Sequence, residues 1–311
     1  MTPRPSTPTH ALLPPAVSGE RVAFDSPVGR LSMYVAGNGP ALLLVHSINA
    51  AGSAAEVRPL HDHFRATHTV FSIDLPGYGA SERSERAYTP RLMTDALHAV
   101  SAQIQQRCGR AAFDALALSL STEFLARAAV ESPAHYRSLA LVSPTGFSGR
   151  RAWREAPGST RGMPWLYRAL RGPGAAWGSA LFRGLTRPGV IRYFLRRTYG
   201  SPDIDEALWR YAVLTTRQAG AEHAPLCFLA ANLFSADIHT VYEQLTLPVW
   251  MSHGVRGDFT DYRGKALVEQ RANWQFSVLP TGAMPYFEVP ERFCTDYAAF
   301  LARGTPSQRS D

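Results

Sequence analysis

From Arg21 onward apolar residues alternate with small or polar ones through residues 22–24, a turn over 26–29, and residues 31–35. That two-residue period belongs to half-buried strands and predicts an opening antiparallel hairpin. The pattern then changes to unbroken apolar runs at 41–45 and 69–73, which suit parallel strands covered on both faces. An amphipathic helical period over 88–107 precedes a strand at 113–118, a helix at 121–130 and a strand at 139–142. Strands alternating with helices of this length imply βαβ units in a twisted sheet. Between about 145 and 246 the alternation stops, and short helices broken by Pro and Gly carry Trp153, Trp165, Tyr167, Trp177, Phe182, Tyr193 and Phe194 among many arginines. Strand signals return at 248–251 and 274–279, and a last helix runs over 290–301. The expected fold is α/β: a mostly parallel eight-stranded twisted sheet flanked by helices, with an inserted helical cap. Its core is residues 21–146 and 247–303, and its cap is 147–246. Residues 1–20 are expected to form a disordered leader and 304–311 a flexible tail.

Composition narrows this only a little. A chain of 311 residues that is 45% hydrophobic suits one α/β domain with an insertion. The net charge of +7 rests on 31 arginines and one lysine, Lys265, a bias that is weak grounds for nucleic-acid binding. Cys108, Cys227 and Cys294 lie far apart with no CxxC pair, which argues against a zinc site or a disulfide framework. The apolar run at 11–13 stops at Pro14 and Pro15, too short for a signal-peptide core or a membrane span, and predicts a cytoplasmic protein.

Three segments carry the candidate chemistry. Ala117-Leu118-Ser119-Leu120-Ser121 lies between a predicted strand and a predicted helix, where a nucleophile elbow keeps its serine on a strained turn flanked by small residues. A helix-capping serine is the plainer alternative. Val45-His46-Ser47-Ile48-Asn49 follows a buried strand, and Asp74-Leu75-Pro76-Gly77-Tyr78-Gly79-Ala80-Ser81 follows the next one, its glycines allowing a tight reversal braced by the aspartate. In these segments, and in Ser143-Pro144-Thr145-Gly146 and Glu288-Val289-Pro290-Glu291-Arg292-Phe293, the chain resembles the α/β-hydrolase superfamily over most of residues 21–303.

The resemblance implies Ser119 as nucleophile, the backbone amides of Ile48 and Leu120 as oxyanion-hole donors, and His46, Ser47, Asn49 and Met284 along the pocket, with His46 structural. The acid belongs in the segment 253–261, where Asp258 in a Gly-flanked loop is preferred to Asp261 at a helix threshold. The base belongs in Gly282-Ala283-Met284-Pro285-Tyr286-Phe287-Glu288, which matches the superfamily except that Ala283 stands at the histidine position. A serine hydroxyl without an imidazole is a poor nucleophile. An introduced substitution, a natural loss and a displaced base at His253 all remain open.

The implied activity is that of a serine hydrolase or acyltransferase on an ester or thioester acyl substrate, with no cofactor. The alternative is a non-catalytic binding protein. Between Arg150 and Gly200 there are eleven arginines and one acid, Glu155, so the cap suits an acidic carrier protein or an anionic membrane surface. Arginines that merely solvate amphipathic helices are the plainer reading, and no groove-reading motif points to nucleic acid.

Overall fold

The apolar runs become strands of a single eight-stranded sheet in a computed structural model that describes residues 13–149, 151–172 and 176–303. The opening hairpin is β1 (Glu20–Ser26) and β2 (Gly29–Ala36), paired antiparallel. Strands β3 (Ala41–Val45), β4 (Thr69–Asp74), β5 (Phe113–Leu118), β6 (Tyr136–Val142), β7 (Val249–Gly254) and β8 (Trp274–Leu279) complete it. The order is β1-β2-β4-β3-β5-β6-β7-β8; β2 meets β4 antiparallel, and every later pairing is parallel. β3 and β5 lie at the centre, so residues that end them gather at one edge of the sheet.

Helices cover both faces, as parallel strands require. α1 (Arg58–Phe64) packs on one face, with α2 (Pro90–Cys108) and α3 (Ser121–Glu131) on the other. Alternate residues of β3 separate accordingly: Leu43 and Val45 join the α2 and α3 side, Leu42 and Leu44 the α1 side. Between β6 and β7 the chain forms α4 (Pro164–Arg171), α5 (Ala176–Leu185), α6 (Pro188–Tyr199), α7 (Glu206–Thr215), α8 (His223–Leu229) and α9 (Ile238–Gln244). A small apolar cluster of Leu170, Phe182, Ala221, Leu226 and Ala230 lies within this helical segment, apart from the sheet. α10 (Pro285–Glu288) and α11 (Pro290–Arg303) close the α1 face, where Trp250 stacks on Tyr297.

The stretch expected as leader differs from the reading above. Leu13, Ala16 and Val17 are buried, Ser18 O accepts from His61 Nε2 at 2.9 Å, and Tyr211 Oη donates to Pro14 O at 3.0 Å. Apolar residues spaced between prolines carry no period, so their burial leaves no trace in the pattern. Residues 1–12 of the expected leader and the expected tail at 304–311 lie outside the described residues.

Candidate functional site

The β5–α3 junction is one residue of strand-to-helix reversal followed by a helix start. Ser119 sits on it with φ +56°, a left-handed value that costs a non-glycine residue on the order of 1–3 kcal/mol. Its backbone is fastened on both sides: its N–H donates to Val142 O at 2.8 Å, and its carbonyl accepts from Thr122 N at 3.1 Å and Thr122 Oγ1 at 2.6 Å. The side chain is the part left over. Ser119 is half-buried, and among the described residues its Oγ has no hydrogen-bond partner. The flanking small residues are fully enclosed, and Ser121 Oγ donates to His46 O at 2.6 Å, which ties the elbow to the end of β3.

The loop after β3 is held from behind. His46 is fully buried: Nδ1 donates to Ser47 O at 2.6 Å, and Nε2 accepts from Leu75 N at 3.0 Å. Burial pushes its pKa down to about 4, so the ring is a neutral brace between the ends of β3 and β4. Glu56, also buried, accepts from Ser47 N at 2.8 Å and Asn49 Nδ2 at 2.6 Å, while Asn49 Oδ1 accepts from Ala51 N at 2.7 Å. The carboxylate therefore grips the residues on either side of Ile48. Desolvation pushes its pKa up to about 7 despite these donors. Neither the amide of Ile48 nor that of Leu120 donates to an acceptor among the described residues. Asp74 locks the next turn, accepting from Ala54 N at 2.8 Å and Ala80 N at 2.9 Å; a Cβ on Gly79 (φ +50°) would lie 2.0 Å from its carboxyl group.

Ala283 lies beside this crest. Ser143 follows Val142 on β6, has φ +46°, and donates from Oγ to Ala283 O at 2.8 Å. Val142 thus holds Ser119 while its neighbour holds Ala283. The Ala283 amide donates to Thr198 O of α6 at 2.9 Å, and a Cβ on Gly282 would meet Tyr199 O at 2.3 Å, so the end of α6 presses on the loop. Glu288 braces it from below by accepting from Gly282 N at 2.7 Å. Met284 is buried at the start of α10.

Asp258 takes another partner. Arg197 Nε and Nη2 bind its two carboxylate oxygens at 2.6 and 2.7 Å in an exposed ion pair, and its amide donates to Arg197 O at 3.2 Å. Asp261 accepts from the Arg263 side chain, which chiefly holds its carboxyl below the usual range, and from Gly149 N. Among the described residues neither aspartate hydrogen-bonds to Ser119, Ser143 or Ala283.

His253 ends β7. Its ring stacks on Tyr262 at 4.0 Å, Nδ1 donates to Gly254 O at 3.0 Å, and Nε2 is buried without a partner among the described residues. Burial lowers its pKa and keeps that nitrogen a free lone pair.

Glu56, Arg197 and Thr198 are the site-forming residues that sequence reasoning passed over, and Ser143 was noted only as part of the segment 143–146. Glu56 left the one visible signal: a lone acid in the small apolar stretch Ala54-Ala55-Glu56-Val57. Among the described residues no group of three His, Cys, Asp or Glu side chains gathers at metal-binding spacing, and no helix is long and apolar enough to cross a membrane.

A serine on a strained strand-to-helix turn above a mostly parallel sheet defines a class, and residues 40–200 match the pattern of the alpha/beta hydrolase fold family. The chain belongs to that family. It is 30% identical over 122 residues to the pimeloyl-[acyl-carrier protein] methyl ester esterase of Xylella fastidiosa (strain 9a5c), a match taking in 39% of this chain and 44% of that relative's length. Among solved structures it resembles a bacterial membrane phospholipase A described as a virulence factor (TM-score 0.69, 18% identity, 92% of this chain and 86% of that one). It also resembles the carboxylesterase CesB of Bacillus subtilis (TM-score 0.67, 16% identity, 93% of each chain). At these identities the solved structures speak to fold alone.

Proposed function

We propose that this chain is a serine acyl hydrolase or acyltransferase whose Ser119 meets the carbonyl carbon of an ester or thioester. The observation that carries the reading is the left-handed φ of Ser119 with its hydroxyl free, since local strain of this kind persists where a function uses it. Attack by Oγ forms the Ser119–acyl bond, the C–O or C–S bond to the leaving group breaks, and water or an acceptor alcohol then takes the acyl group. Charge on the tetrahedral oxygen falls to the amides of Ile48 and Leu120, each aimed donor of this kind being worth about 2.7–4 kcal/mol in related sites. The esterase relative, whose name specifies a carrier-bound methyl ester, makes methyl esters and acyl thioesters the first substrates to try.

The proton is the weak point. Ala283 offers a methyl group, and Asp258 is committed to Arg197, so the hydroxyl proton goes to hydroxide or to Nε2 of His253. Turnover is accordingly slow and rises with pH. A fluorophosphonate probe and p-nitrophenyl esters of several chain lengths test this: slow labelling at Ser119, abolished by Ser119→Ala, is expected. His253→Ala lowers the rate if that imidazole accepts the proton and leaves it unchanged if hydroxide does. Equal hydrolysis by the chain and its Ser119→Ala variant sinks the proposal.

The absent base and the captured acid favour a second reading, a hydrolase-fold protein that binds an acyl ligand without turning it over. Ligand-induced stabilisation by a non-hydrolysable thioester analogue, with no probe labelling, supports it.

A further inference from the structure

The outer face of α4, α5 and α6 exposes large apolar side chains that the site does not use. Trp165 on α4 is 65% exposed, Trp177 on α5 48%, and Tyr193 and Phe194 on α6 52% and 49%. α5 touches both α4 and α6, so these side chains belong to three neighbouring helices. The loop carrying Val255 and Phe259, each 52% exposed, is clamped to the end of α6 by the Arg197–Asp258 pair and extends the same face. Seven of the nine large apolar side chains exposed among the described residues, Leu181 included, lie in these four segments. Exposed apolar surface concentrated in this way marks an interaction site.

The charge of the face says what covers it. From residue 156 to 202 the chain has no Asp or Glu. Arg168, Arg183, Arg187 and Arg196 are exposed and pair with no carboxylate among the described residues, whereas Arg161, Arg192 and Arg197 each pair with one. A second copy of the chain is a poor occupant, because a two-fold contact would set these arginines against themselves. An acidic protein would satisfy the arginines but leave Trp165 and Trp177 against polar surface. Tryptophan and arginine side by side on amphipathic helices suit the boundary between anionic headgroups and acyl chains, where the ring body is buried and the guanidinium stays with phosphate.

We propose that the face formed by α4, α5, α6 and the 255–259 loop docks on an anionic lipid bilayer. The end of α6 also presses on Gly282 and Ala283, so docking would present the crest of the sheet to the membrane surface. The inference does not depend on Ser119 being reactive.

The test is co-sedimentation of the full chain with phosphatidylcholine vesicles, with and without about one-third phosphatidylglycerol, read together with tryptophan emission. Expected are binding and a blue shift on anionic vesicles only, both lost near 1 M salt where the screening length is about 3 Å. Arg168→Gln/Arg183→Gln/Arg187→Gln should weaken binding about a hundredfold, from attractions of about fivefold per arginine. Trp165→Ser/Trp177→Ser should abolish the blue shift while the far-ultraviolet spectrum stays unchanged. Equal binding to neutral vesicles, or an unaltered affinity of the triple variant, overturns the proposal. So does failure to bind vesicles, whether the chain instead dimerises or binds polyglutamate through this face.

Discussion

The sheet and the helical segment above it are held together by different forces. In the sheet, Leu42 to Val45 and all of β5 are buried, and stability comes from apolar area removed from water together with short polar braces such as Glu56 and Asp74. In the helical segment apolar burial is supplemented by arginines packed on aromatic rings. Arg151 and Arg161 lie over the Trp153 ring at 3.9 and 4.2 Å, and Arg192 over Trp209 at 4.1 Å. The comparison shows where each region is vulnerable. The crest holding Ser119 belongs to the apolar-packed sheet, while the helical segment joins that core through residues such as Leu208, Ile238 and Tyr242 and adds a few buried charged points.

The largest effect is expected at one of those points. Arg127 Nη2 and Nη1 reach Asp237 at 2.6 and 3.2 Å, and Asp237 also accepts from Gly158 N at 2.8 Å. Both side chains are largely buried, so Asp237→Ala strands a guanidinium on α3, the helix that Ser119 introduces. A loss of about 3–5 kcal/mol in urea unfolding is expected. A loss under about 1 kcal/mol would mean that apolar contacts, not ion pairs, secure the helical segment.

Next comes the pH response of the loop after β3. The folded pKa of Glu56, about 7, lies above its ordinary 4.5, so the folded state holds the proton more tightly. The contribution is therefore present in full below about pH 4.5 and declines until about pH 7, by on the order of 3 kcal/mol. Asp74, pushed up to about 6, acts in the same direction, whereas His46, pushed down to about 4, acts against both. Glu56→Gln removes one of the three titrations, so its melting temperature should rise relative to the unmodified chain as pH increases from 5 to 8. Parallel curves would show that Glu56 does not titrate in the folded protein.

The rate prediction is smaller. Ala283→His places an imidazole where Ser143 already holds the backbone, and a positioned general base is worth about 10²–10⁴ in rate. With Asp258 bound to Arg197 nothing orients the new ring, so a gain of about tenfold to a hundredfold in p-nitrophenyl ester hydrolysis is expected, dependent on Ser119 and larger when Arg197→Gln frees the carboxylate. No gain in either variant favours the binding reading.

How far this architecture was legible depended on the distance over which each feature is encoded. The runs at 41–45 and 113–118 spell out β3 and β5 because a strand buried on both faces needs apolar residues at every position. The turn at Asp74 was equally plain, since Gly79 has to leave room for the carboxyl group of Asp74 only five residues away. Asp258 is the opposite case: its loop was identified, but its carboxylate is taken by Arg197, 61 residues earlier on α6. Nothing in the local pattern records such a partner. The grip of Glu56 on Ser47 and Asn49 and the pressure of Tyr199 O on Gly282 were hidden for the same reason. Burial follows local periodicity, whereas side-chain pairing follows tertiary proximity.

The smallest effect is expected at the surface of the helical segment. Arg192 binds Glu206 through both guanidinium ends, with Nη2 to Oε2 at 2.7 Å, yet the carboxylate is half exposed and solvent screens the pair. Arg192 keeps its seat over Trp209 whether or not the carboxylate is present, and Trp209 Nε1 stays bonded to Pro188 O at 2.9 Å. Glu206→Gln should therefore leave the melting temperature within about 1 °C of the unmodified chain, as exposed pairs usually do. Trp209→Ala removes the platform instead and should lower it by several degrees, because the arginine stem and ring then lose their shared apolar contact. If Glu206→Gln proves the more damaging of the two, charge pairing rather than arginine packing organises the helical segment, and the contrast with the sheet is sharper than drawn.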